Sequence, residues 1–292
     1  MSDTRLRIAA AQYPVDYLSD WSAYQYKITE WVERAVEERA ALLLFPEYFS
    51  MELASLFEER IYRSLSLQLE AMQSLLKGFQ ALLGSLASQH RIHIVGGTFP
   101  VRQPDDSYRN RCYWFYPDGR LQFQDKLQMT RFETEQWLIS AGDTINLFET
   151  PFGKVGVSIC YDSEFPLIAR RQVEQGADLI LVPSCTDTLA GFHRVQIGSR
   201  ARALENQCYV VQSALIGTAE WSEAVDINNG AAAIYTPVDY GFPDDGILAM
   251  GELNQPQWIY ADVDLAALRQ VRETGQVFNH RDWNGQYRIW QS

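Results

Sequence analysis

The chain has 292 residues, of which 47% are hydrophobic and 21% charged, and it carries a net charge of −12. That length suits one large α/β domain or two smaller ones, and the composition is ordinary for a globular protein. The acidic balance argues against nucleic acid or an anionic membrane as a partner, although not against an anionic substrate, and no apolar run reaches membrane-spanning length.

The N-terminus, MSDTRLRIAA, lacks a signal-peptide pattern and runs into a strand over Leu6–Gln12, closed by Pro14. Trp21 to Ala40 reads as a helix, because Tyr24, Ile28, Trp31, Val32, Ala35 and Val36 recur at spacings of three and four. Ala41 to Phe45 is a short buried strand that ends at Pro46 and Glu47. From Leu53 to His90 the period is helical again, and Ile92 to Phe99 is a strand carrying Gly96 and Gly97. Arg111–Tyr116 and Leu121–Gln124 pair as a hairpin across Pro117-Asp118-Gly119. Residues 126–145 read as loop with a helical turn near Glu133, and a second hairpin turns at Pro151–Lys154. Then come a strand to Ile159, a sharp turn, a helix from Pro166 to the stop at Gly176, and a strand over Ala177–Val182, which together make a parallel crossover. A helix over Phe192–Gln207 and strands at Cys208–Leu215, Ala231–Tyr235, Ile247–Glu252 and Trp258–Val263 follow, then a helix at Leu265–Glu273 and a polar, aromatic tail from about 274. With no linker or low-complexity stretch, residues 1–292 read as one domain. Crossovers with interposed hairpins imply an α/β fold of two sheets face to face with helices outside.

Three strand ends carry a lone reactive group. Cys160 stands where the strand of the crossover meets its turn, the edge at which parallel sheets hold their chemistry. A small buried hydrophobe is the alternative reading for such a cysteine. Glu47 follows LLLFP, where a carboxylate is unusual unless paired or used; an N-cap or salt bridge is the plain alternative. Lys126 follows the first hairpin at a strand end outside the core, so its removal is expected to spare the fold. Together they supply a base, a cation and a nucleophile, the set required for acyl transfer through a thioester. Cys112, Cys185 and Cys208 are spread along the chain without a CxxC spacing, so neither a zinc site nor a disulfide framework is indicated, and a reducing cytoplasm fits.

The stretches LLLFPEYF, DKLQMTRFE and GVSICYDSEFP, in this order, resemble the nitrilase, or carbon–nitrogen hydrolase, superfamily. AAAQYP near the start and SRARALENQCYVV after the elbow extend the resemblance over nearly the whole chain. It implies a four-layer αββα sandwich, usually dimeric, acting on a small amide-like molecule and water without metal or organic cofactor. It implies that Cys160 attacks the carbonyl or nitrile carbon, that Glu47 relays protons, and that Lys126 and the backbone N–H of Tyr161 stabilise the oxyanion. A second glutamate of the family maps best to Glu135, with Glu133 as the competitor. Within the superfamily, MTRFETE, CYDSEFP and GFHRV resemble an amidase-like branch in which some members carry an N-terminal acetyltransferase-like domain. This chain begins directly at the hydrolase, so that domain is expected to be absent. Superfamily members hydrolyse nitriles, primary amides, N-carbamoyl compounds or substituted amides, and a few transfer acyl groups. Leu167 stands where many relatives place an acidic residue, so specificity does not carry over from the better-known branches.

Tyr48, Trp137, Tyr161 and Phe192 are candidate walls of the substrate pocket, with plain packing the alternative, and Arg194 is a candidate anchor for a substrate carboxylate. The four histidines, His90, His93, His193 and His280, form no pattern that supports a Cys–His protease. No glycine-rich phosphate loop supports a nucleotide-binding module. A non-catalytic assembly protein on the same scaffold would be favoured by loss of Glu47, Lys126 or Cys160, and all three are present.

Overall fold

The computed structural model describes residues 5–290. Residues 1–4, at the start of the stretch read as free of a signal peptide, and 291–292 of the tail lie outside the described residues. Strand β1 (Arg5–Pro14) leads into helix α1 (Trp21–Glu37), capped by the Asp20 side chain, and then into β2 (Leu42–Leu44). The long helical run does not form one helix. It divides into a 3₁₀ segment (Phe49–Leu56), α2 (Glu59–Tyr62), α3 (Leu65–Met72) and α4 (Leu76–His90). The breaks fall where Phe57 turns extended and where the Ser64 hydroxyl caps α3. A period of 3.6 marks which side is buried, but local capping decides where each helix begins.

β3 (His93–Arg102), β4 (Tyr108–Phe115) and β5 (Leu121–Asp125) are antiparallel neighbours, and the β4–β5 pair is the first hairpin read from sequence. The turn near Glu133 is helix α5 (Arg131–Glu135), closed by a capping box between Thr130 and Glu133, and a short β6 (Ile139–Ser140) follows it. The second hairpin joins β7 (Phe148–Thr150) to β8 (Gly153–Val157); α6 (Pro166–Glu174) then crosses over to β9 (Ala177–Ser184), parallel to β8. After α7 (Leu189–Asn206) come β10 (Tyr209–Thr218), β11 (Ile227–Asn228), β12 (Ala233–Tyr235), β13 (Ile247–Met250), β14 (Gln257–Asp264) and α8 (Leu265–Thr274). The segment read as a tail is wound into α9 (Asn279–Asp282) and a 3₁₀ stretch, with the Arg170 guanidinium over the Trp283 ring.

The strands run in the order β5-β4-β3-β2-β1-β10-β9-β8-β7. The two expected sheets are thus one sheet bent back on itself, because β1 hands over to β10 through a short parallel contact, Gln12 to Pro14 against Ala214 to Ile216. Period-two alternation sorts each strand between two cores. In β1, Ala9, Ala11 and Tyr13 face α1 and α4, whereas Leu6, Ile8 and Ala10 face the other half of the sheet. Trp114 of β4 stacks on Phe148 of β7 at 4.8 Å, closing the inner layer. Helices α6 and α7 cover the far side through Ala169, Val173, Val195 and Ala203. The result is the four-layer αββα sandwich.

The two glycines of β3 have a specific task. The register between β3 and β4 shifts between Val95 and Thr98, which is a bulge. Gly97 has φ +49, and a Cβ there would lie 2.0 Å from the Pro46 carbonyl oxygen. This close approach seats the segment after β2 on β3, where Thr98 Oγ1 accepts the Tyr48 N–H at 2.8 Å and Ser50 Oγ donates to the Thr98 carbonyl at 2.8 Å. Gly97→Ala is therefore expected to destabilise the protein by more than about 1 kcal/mol, since both the φ and the space are incompatible with a side chain. Denaturant unfolding of the variant measures this, and unchanged stability would show that Pro46 yields freely.

Candidate active site

Glu47, Lys126 and Cys160 come from three strand ends far apart in sequence and open on one cavity of about 700 Å³. Lys126 Nζ donates to Glu47 Oε1 at 2.7 Å and to Glu133 Oε2 at 2.7 Å. All three groups are almost wholly buried. Lys126 is thus not the peripheral strand-end residue expected from sequence. The expectation that it stands outside the core is corrected, and its removal would leave two buried carboxylates without their cation. Cys160 opens a short 3₁₀ turn with φ +48, in the left-handed region that a non-glycine residue occupies only when its surroundings hold it there. Its thiol lies against Glu47 and points toward the Cys185 carbonyl at 3.6 Å.

The position of the second glutamate is also corrected. Glu135 sits on the exposed face of α5, where it pairs with Arg131. Glu133, two residues earlier on a helix, points the opposite way into the protein. It accepts from Lys126, from the Tyr48 hydroxyl at 2.7 Å, and from the Thr130 N–H and hydroxyl at 2.9 Å each. Two further residues escaped the sequence reading. The Asn110 side-chain amide donates to Glu47 at 2.8 Å and to Glu133 at 3.1 Å, bridging the carboxylates. A buried asparagine in the strand YRNRCYWF was a readable signal, since such a group must be hydrogen-bonded. The buried Asp162, inside the CYDSEFP stretch, accepts backbone N–H groups from Leu127, Gln128 and Ile159.

A model of the carbon-nitrogen hydrolase family matches residues 7–273. The chain belongs to the carbon–nitrogen hydrolase family. It is 35% identical over 277 residues to a probable hydrolase, YhcX, of Bacillus subtilis (strain 168), covering 95% of this chain and 53% of that protein. The chain thus spans about half the length of that relative. It is 32% identical over 200 residues to omega-amidase NIT2 of Xenopus tropicalis, covering 65% of this chain and 68% of that protein. Among solved structures, Nit3 of Saccharomyces cerevisiae, a member of branch 10 of the nitrilase superfamily, aligns with a TM-score of 0.73 at 24% identity over 93% of this chain and 96% of that one. A double mutant of the amidase from Nesterenkonia sp. AN1, in complex with acrylamide, aligns with a TM-score of 0.67 at 20% identity over 97% and 98% of the two chains. At those identities the structural likeness establishes the fold alone.

In this family member the cavity walls are partly those expected. Tyr48, Trp137 and Tyr161 line it, and Tyr48 packs on Trp137 at 4.7 Å. Phe192 does not line it; its ring is buried within the packing of α7, and its neighbours Gly191 and Val195 reach the cavity instead. Arg194 stands at the rim, mostly exposed, with Glu164 at 3.6 Å. Cys185 lines the cavity and gives its N–H to Glu47 Oε2 at 3.1 Å.

Burial governs the electrostatics. It raises the Glu47 pKa from the ordinary carboxylate value despite Lys126. Burial also works against the Lys126 cation, but Glu133, Glu47 and Cys160 around it hold its pKa well above the ordinary lysine value. Glu133, although buried, is held below the ordinary value by Lys126 and by its donors. Burial and then the Glu47 charge push the Cys160 thiol well up. Burial likewise raises Asp162 to about 7, against the pull of Lys126 and the backbone N–H groups. Glu133→Gln leaves Lys126 paired with Glu47 but turns an amide NH₂ toward buried donors, so it should cost about 1–3 kcal/mol of stability. Glu135→Gln, on the surface, should change stability little. Unfolding curves of the two variants check this, and equal effects would mean that Glu133 is not the lysine's buried partner.

Proposed function

We propose that the chain hydrolyses a non-peptide C–N bond of a small molecule, a linear amide or N-carbamoyl compound, through an acyl-thioester on Cys160. The observation that carries this reading is an ammonium held between two buried carboxylates beside a cysteine on a left-handed turn, all opening on one cavity. The omega-amidase name of a relative supports the substrate class. Four unpaired cysteines support a reducing compartment such as the cytoplasm.

The raised thiol pKa keeps Cys160 protonated at rest, so the proton must leave as sulfur attacks. Glu47, with its pKa raised toward neutrality's side of the carboxylate range, is suited to accept it. Sulfur bonds to the carbonyl carbon while Lys126 and the Tyr161 N–H receive the developing oxyanion. Glu47 then gives its proton to the leaving nitrogen, the C–N bond breaks, and ammonia or an amine departs. In the second half, Glu47 takes a proton from water, hydroxide adds to the thioester, and the carboxylic acid leaves as the proton returns to sulfur. Lys126 stays charged throughout, a role favoured by its two anionic neighbours.

Cys160→Ala is expected to abolish turnover across a panel of amides, carbamoyl compounds and nitriles, and mass spectrometry of the native protein is expected to trap an acyl adduct on Cys160. Turnover surviving in the alanine variant would sink the mechanism, and the panel identifies which carbonyl class is preferred. Because Glu47 acts ionised, kcat/KM should fall as pH drops through its raised pKa. The acid limb then lies above the ordinary carboxylate range. Glu47→Gln preserves volume and should remove that limb together with most of the activity. A pH–rate profile unchanged by Glu47→Gln would exclude Glu47 as the base.

We also propose a homodimer. On the outer face of α6 and α7, Leu167, Ile197 and Leu204 are exposed, while Val195 faces the sheet. This is an apolar face that a second copy would cover. Light scattering at micromolar concentration should give twice the chain mass; a monomer would remove this proposal.

A further inference from the structure

β5 and β8 lie near opposite ends of the strand order, so no ladder of strand hydrogen bonds joins the segment carrying Lys126 to the segment carrying Cys160. A catalytic cation and a nucleophile brought from separate edges require some other link to fix their spacing. Among the described residues, the direct hydrogen bonds between Lys126–Thr130 and Ser158–Glu164 all run through one side chain, Asp162. Its Oδ1 accepts the Gln128 N–H at 2.7 Å and the Leu127 N–H at 3.1 Å. Its Oδ2 accepts the Ile159 N–H at 3.0 Å. Its own N–H donates to the Ile159 carbonyl at 3.0 Å, so the turn that holds Cys160 in the left-handed region is closed by the same residue. The group is 1% exposed, so water does not compete for these bonds. Resting on the Glu47–Lys126–Cys160 reading above, we infer that Asp162 is the positioning residue that sets the distance between the Lys126 ammonium and the Cys160 sulfur.

The side-chain chemistry fits that task. Three N–H donors converge on two oxygens, so the site calls for a group that only accepts. Asparagine has nearly the same shape, but its NH₂ would face one set of donors and push the Lys126 segment or the elbow away. A displacement of that kind weakens the contact made to the oxyanion in the transition state more than the contacts made to bound substrate.

Asp162→Asn tests the inference, with kcat and KM measured on an amide that the native protein turns over. Thermal unfolding and the rate of Cys160 alkylation by iodoacetamide are measured beside them. Alkylation uses the same thiol but forms no oxyanion. The expected result is a folded variant with kcat lowered about 10²-fold, the scale of losing one oxyanion donor. KM and the alkylation rate should change less than about threefold. A native kcat overturns the inference. So does an alkylation rate that falls in step with kcat, because that reports a collapsed elbow and not a displaced lysine. If Asp162→Asn does not fold, Asp162→Glu keeps the charge and the acceptor one methylene further out, and the same loss confined to kcat is expected. A native kcat in that variant, or failure of both variants to fold, overturns a separable positioning role. Lys126→Met run in parallel separates the two levels. An active Lys126→Met enzyme defeats the catalytic reading itself. An inactive one beside a normal Asp162→Asn defeats only the inference about Asp162.

Discussion

The ammonium of Lys126, closed off from water between Glu47 and Glu133, is the contact on which the rest of the site depends. Burying a charge carries a heavy desolvation cost, which is offset only when its partners are close and their remaining lone pairs are occupied. Two carboxylates and one ammonium leave a surplus negative charge, and the surroundings decide which carboxylate bears the strain. Glu133 draws donors from Tyr48, Asn110 and Thr130 besides Lys126, and it is held ionised. Glu47 has Lys126, Asn110 and the Cys185 N–H, and its pKa rises. Burial and the Glu133 charge thus raise Glu47, while Lys126 and the Thr130 and Tyr48 donors overcome burial at Glu133, which divides two chemically identical groups into a fixed anion and a titratable one. The titratable one is the one beside the sulfur.

Much of the neighbouring backbone serves to hold that triad. The bulge at Gly96-Gly97 allows the Pro46 carbonyl to press against β3, which sets Glu47 at the cavity and places Tyr48 in a left-handed conformation with its hydroxyl on Glu133. On the other side, Cys160 is left-handed as well, so two strained residues from different layers flank the same space. Conformations of this kind persist only where surrounding contacts over-determine them. The largely buried strands β1, β2, β9 and β10 supply that rigidity.

A second buried ion cluster lies just beyond. Glu52, on the 3₁₀ segment that follows Glu47, accepts from the Tyr13 hydroxyl at 2.6 Å and the Asp16 N–H at 2.7 Å and pairs with Lys27. Burial raises its pKa to about 7. Its folded pKa stands above the unfolded value. The stability it contributes is therefore complete below the ordinary carboxylate range and declines as pH rises through about 7. This cluster ties α1 and β1 to the segment that leaves the site.

The hydrophobic periods of the chain determined the strands, the two hairpins, the crossover around Cys160 and the αββα layering, because those follow from which residues leave water. The same residues carried the family resemblance and singled out Glu47, Lys126 and Cys160 as strand-end groups. The choice between Glu133 and Glu135 was decided only when α5 was seen on its bed. Residues two apart on a helix point to opposite sides, and the Thr130 cap sets which one faces inward. The burial of Lys126 against Glu47, the identity of the partners that the Asn110 amide bridges, and the bonds of Asp162 to Leu127 and Gln128 were beyond sequence reasoning for a common reason. Each is a contact between segments tens of residues apart, and a local pattern of polar and apolar residues holds no information about which distant backbone will supply the partner.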